Sequence, residues 1–177
     1  MTMDNDQQKV LLAAASFFNE TAKKRLTTER GLHAETLIMS VARLSGSLMY
    51  KSFGLDDKLA PGTTVLSEQA NQHGPKLMDM MLVTLQQLGQ PITETTVDTK
   101  YLDAKFSQLS FQESYERLAP FFLAYCQAAP LPFREAAIAG AVATGILIQE
   151  CRTVLPVAGA AALGIYGFIE GTKTVPY

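Results

Sequence analysis

Residues 134 to 171 read REAAIAGAVATGILIQECRTVLPVAGAAALGIYGFIEG, a stretch poor in charge and rich in Gly and Ala. A segment of this kind either crosses a membrane or forms the tightest part of a core. The uncharged run from Ala136 to Ile148 is 13 residues, short of the roughly 20 that a spanning helix needs. Gln149, Glu150 and Arg152 then intervene, and Pro156 starts a second apolar run that reaches Ile169. Joining the two runs would put Glu150 and Arg152 near a bilayer centre, at a cost of at least about 2.5 kcal/mol each. Integral insertion is therefore not expected, and the pattern predicts a buried antiparallel helical hairpin.

Its small residues set how that hairpin packs. Ala136, Gly140 and Thr144 repeat every four positions, as do Ala139 with Ala143 and Ala160 with Gly164, whereas Gly159 and Gly167 fall off that spacing. Such ridges let backbones approach closely. A helical Gly costs about 1 kcal/mol relative to Ala, so Gly140, Gly145, Gly159, Gly164 and Gly167 imply a compensating contact. Ala136, Gly140, Thr144, Gly159, Gly164 and Gly167 are thus the expected packing or interface positions.

The rest of the chain also reads as helix. Asn5 and Gln8 have capping-box spacing before an apolar period of three and four, predicting a helix from about 6 to 25. A second spans about 29 to 53, with Leu37, Ile38, Val41, Leu44, Leu48 and Met49 on one face and Thr36, Ser40, Arg43 and Ser47 on another. LDDKLAPGTT reads as a loop into a third helical segment. Gly74-Pro75 should interrupt that segment, with Pro75 opening a fresh helix that stops at Gly89. ITETTV reads as loop or strand-like ahead of a brief helix at about 98 to 108. Ser110 with Glu113 forms a full capping box for a helix over 111 to 128, which Pro120 should kink. The tail from 171 to 177 is expected to be extended and at the surface. The sum is an all-α fold of six or seven helices in one domain, with the Gly/Ala-rich hairpin at its centre or at a subunit interface.

Charge narrows the partners. With 15 basic and 17 acidic residues the formal net charge is −2, which argues against general attraction to nucleic acid. The basic cluster KKRLTTER is explained by cations complementing a helix C-terminus. Cys126 and Cys151 lack metal-like spacing and read as buried reduced thiols. The N-terminus has the wrong charge order for a secretory signal, so a cytoplasmic location is expected.

Constellations able to carry chemistry are few. His33 and His73 are the only histidines. Glu29 and His33 are four apart on the second predicted helix, where they should pair, with Glu35 about 200° round; none of this is HExxH or Glu-x-x-His. His33, His73, Glu29 and Glu35 could form a metal or acid/base site only if the second and third helices bring the two rings together. Ser45 and Ser47 flank Gly46 without the strand-turn-helix that a nucleophile elbow needs, so close packing explains them. The glycines of GAVATG and GAAALG fit no dinucleotide or phosphate loop. No catalytic residue, metal or cofactor is expected.

Three functional readings remain. In the first the chain is a non-enzymatic protein that self-associates, most simply as a homodimer. In the second it binds an apolar small molecule in a pocket walled by Phe17, Phe18, Met78, Met81, Phe121 and Phe122. The third is the histidine site. Peripheral membrane attachment through the hairpin stays open only if those helices are exposed.

Overall fold

The computed structural model describes residues 3–55 and 58–177. It is all-helical, with six α-helices: α1 (Asn5–Leu26), α2 (Ala34–Ser52), α3 (Glu68–Gln87), α4 (Phe111–Ala128), α5 (Phe133–Glu150) and α6 (Val157–Thr172). Three single 3-10 turns, Glu94–Thr96, Thr99–Tyr101 and Ala104–Phe106, occupy the α3–α4 connection where a brief helix is predicted.

The helix starts follow local chemistry. Asp4, one residue before the predicted Asn5, caps α1 by accepting from Gln7 N–H at 2.8 Å, and the Gln7 side chain returns to Asp4 N–H. Ser110 and Glu113 close the predicted box on α4. The second helix starts five residues later than its periodicity suggests. Gly31 takes a left-handed φ of +91°, Thr28 and Gly31 exchange backbone hydrogen bonds, and His33 caps α2.

The centre of the molecule is α2, whose residues 36 to 50 are all buried. Its apolar and its polar face are equally enclosed, because α5 and α6 cover it with help from α1, α3 and α4. The glycines of α5 and α6 serve this enclosure. A Cβ on Gly167 would lie 2.6 Å from Ala42 Cβ, and one on Gly46 would lie 2.7 Å from Phe168 O and 2.8 Å from Gly171 Cα. Contacts advance together along both chains, so α2 and α6 run in the same sense, with backbones touching at Gly46 and Gly171. A Cβ on Gly140 would strike Ser45, and one on Gly145 would press on Thr84 of α3. Within the hairpin itself Thr144 faces Gly164. The compensating contacts that the helical glycines imply therefore fall mostly on α2 and α3.

Two further expectations are corrected. Gly74-Pro75 does not interrupt α3, which is continuous through it. Ala70, Leu77, Met81 and Leu85 are buried along one face, and that packing offsets the donor that Pro75 lacks. The tail is extended from Lys173 but is not a surface appendage. Thr174 bridges Thr64, Val65 N–H donates to Lys173 O at 2.7 Å, and Val175 is buried. No helix among the described residues is long and apolar enough to cross a membrane.

Candidate functional site

The two histidines do not meet. His33 sits at the N-cap of α2, while the His73 ring lies 6.0 Å from Phe53, the C-cap of the same helix. Nineteen helical residues separate those caps, a span of roughly 28 Å at 1.5 Å per residue. The expected Glu29 partnership also fails, because Glu29 occupies the turn that precedes His33. Instead Nε2 lies 3.3 Å from Glu35. The Thr36 hydroxyl is 2.7 Å from Nδ1 and accepts Gln108 N–H at 2.8 Å. These bonds fix Nδ1 as acceptor and Nε2 as donor. At the other end His73 Nδ1 lies 3.0 Å from Lys76 Nζ. Desolvation, with Arg134 and Lys76 adding to it, lowers the His73 pKa below the ordinary histidine value. No cluster of three or more His, Cys, Asp or Glu side chains able to hold a metal ion occurs among the described residues.

The aromatic and methionine positions expected to wall one pocket divide into two groups. Phe18 stacks on Phe122 at 4.2 Å and Phe17 on Tyr125 at 4.5 Å, filling the α1–α4 seam. Phe121 lies beneath the Arg25 guanidinium at 3.8 Å. Met81 is fully buried, where its sulfur lies against Gly164, and half-buried Met78 lies farther along α3. Neighbouring phenylalanines point about 100° apart on a helix, so each pair splits between core and rim.

Reactive side chains are tied into the fold. Ser45 donates to Ala137 O at 2.7 Å, and Ser40 and Ser114 bond each other at 3.0 Å. Burial pushes the thiols of Cys126 and half-buried Cys151 up, leaving them poor nucleophiles. Of the basic cluster, Lys23 binds Glu150 at 2.7 Å, a bond that raises its pKa, and Arg25 covers Phe121.

Arg43 is the polar residue that periodicity undervalues. It is 1% exposed, and its Nε lies 2.9 Å from Glu170 Oε1 on α6 without being aligned for a hydrogen bond. Its Nη1 donates to Leu109 O at 2.9 Å and to Ser114 Oγ at 3.1 Å, with Ser107 Oγ at 3.5 Å. The signal for this was present in the sequence: one cation in an otherwise uncharged run, with Ser40 and Ser47 three and four residues away.

Three concavities remain. A groove of about 200 Å³ runs between α3 and α6, lined chiefly by Ala70, Gly74, Pro75, Met78, Ile165, Phe168 and Ile169. A cleft of about 460 Å³ is bounded by Lys51, Leu123, Cys126, Leu131 and Phe133. A third, of about 440 Å³, joins Val10, Leu11 and Leu131 to Asp4, Asp6 and Glu135. The α3–α6 groove has no histidine, cysteine or carboxylate in its lining, so its chemistry is that of apolar contact. Comparison of the chain with family models, with curated proteins and with solved structures returns no significant match.

Proposed function

We infer that this chain is a non-catalytic helical protein that acts by association, and that it pairs with a second copy of itself through the α3–α6 groove. The observation that carries the reading is a knob beside a hole. Leu66, 80% exposed, stands where the chain enters α3, and its neighbour Val65 is hydrogen-bonded to Lys173 at the end of the groove. Ile169 on the groove's rim is 49% exposed. A face that presents both a protruding apolar side chain and an apolar recess can be self-complementary about a two-fold axis. The recess, at about 200 Å³, is smaller than the roughly 300–1,000 Å³ of small-molecule pockets and better sized for a partner's side chains. The free thiols of Cys126 and Cys151 support a reducing compartment such as the cytoplasm.

A second reading, an apolar small-molecule carrier, draws support from the cleft beside Leu123 and Phe133, whose volume of about 460 Å³ lies inside that range. Native mass spectrometry of protein purified without detergent separates the two. The expected result is a dimer without added mass, which Ile169→Glu converts to a monomer of unchanged helical circular dichroism. A monomer at every micromolar concentration overturns the first reading, and a reproducible retained mass supports the second.

A further inference from the structure

We propose that residues 91–109 form a strap that lifts off the helical core as one unit while the six helices stay folded. None of the residues in its three 3-10 turns is buried, and most of its hydrogen bonds are internal. It is fastened to the core at few points. Asp98 N–H donates to Ala158 O on α6 at 3.1 Å, and Gln108 N–H donates to Thr36 Oγ1 on α2 at 2.8 Å. Tyr101, stacked on Phe106 at 4.8 Å, lies flat on Gly159, where a Cβ would come within 2.7 Å of the ring. Leu109 O and Ser107 Oγ receive the Arg43 guanidinium.

The partition of Arg43's partners makes separate opening feasible. Its counter-charge, Glu170, belongs to α6, and its second firm hydrogen-bond acceptor, Ser114, belongs to α4. The strap supplies only neutral acceptors. Lifting it therefore forfeits ordinary hydrogen bonds and the Tyr101 contact without leaving a buried charge unpaired, which is the loss that would couple it to global unfolding. Segments with few buried apolar contacts open at a lower free energy than the core around them. Opening uncovers Arg43 Nη1, Ala158 O, Thr36 Oγ1 and the bare backbone at Gly159. The fold thus carries a movable cover over its buried ion pair.

Native-state hydrogen exchange of the full chain tests this, because the amides of Asp98 and Gln108 each report one fastening. Both are expected to exchange with the same opening free energy, at least tenfold faster than the amides of Leu44 and Leu48, and with little dependence on denaturant. Tyr101→Ala, a change in the strap that leaves the core untouched, should accelerate both several-fold while α2 keeps its protection. The proposal fails if the two amides share the protection and denaturant dependence of α2. It also fails if they open with different free energies, or if Tyr101→Ala speeds Asp98 and not Gln108.

Discussion

Arg43 and Glu170 bring a full positive charge into the middle of a helical core, and their energetic value lies in being together. Removing one partner of a buried pair leaves the other uncompensated and costs about 3–5 kcal/mol, whereas replacing both with apolar residues of similar volume is often nearly neutral. Glu170→Gln should accordingly lower the stability measured by urea unfolding by about 3 kcal/mol, and Arg43→Met combined with Glu170→Leu should recover much of that loss. Additive single-site losses in the cycle would show that the pair is not coupled. His73 gives a prediction in pH. Its ring is held neutral by its surroundings, so the folded protein binds that proton less readily than the unfolded chain. Its contribution is complete above the unfolded value of about 6.5, and it is lost as pH falls through the lower folded value. His73→Gln should flatten the decline in stability on acidification, and an unchanged profile would assign the decline to other groups.

Among the elements, α3 and α4 each carry an internal proline and pack despite it. Pro75→Ala restores a donor to Asn71 O within α3. It should raise the unfolding free energy by about 1–2 kcal/mol, the helix-interior penalty of proline less the chain entropy that proline removes from the unfolded state. A loss of stability on thermal unfolding would mean that the proline's shape is required by the α3–α6 groove. The contrast between these helices explains what the sequence made legible. The α4 boundaries could be read at Ser110 and Glu113 because capping is local chemistry with a fixed spacing. The break expected at Gly74-Pro75 is absent because the buried face of Ala70, Leu77 and Met81 is set by neighbours distant in sequence. The polar face of α2 could be seen in Thr36, Ser40, Arg43 and Ser47, but its enclosure could not, since periodicity sorts residues by face without saying which faces are covered. The small residues of α5 and α6 correctly announced close backbone contact. Gly46 and Gly171, on which the α2–α6 crossing rests, gained meaning only when the two helices were seen side by side.

At the scale of the molecule, self-association ties stability to concentration. If the folded chain pairs through Leu66 and Ile169, its unfolding midpoint should rise as the protein is concentrated, by mass action, and the midpoint of Ile169→Glu should not. A wild-type midpoint that is flat over a hundredfold range would weigh against the pair. The placement of α2 has another consequence, which concerns how the chain is made. The helix at the centre of the fold emerges early from the ribosome, yet the two helices that enclose it are the fifth and sixth to be synthesised. More than a hundred residues separate Ser52 from the end of α6, which at about 5–20 residues per second amounts to on the order of ten seconds. During that interval α2 has most of its final cover missing. A nascent chain halted before α6 should therefore engage chaperones or aggregate, and release of the last helix, more than the growth of any earlier one, should mark the moment at which the protein becomes resistant to protease.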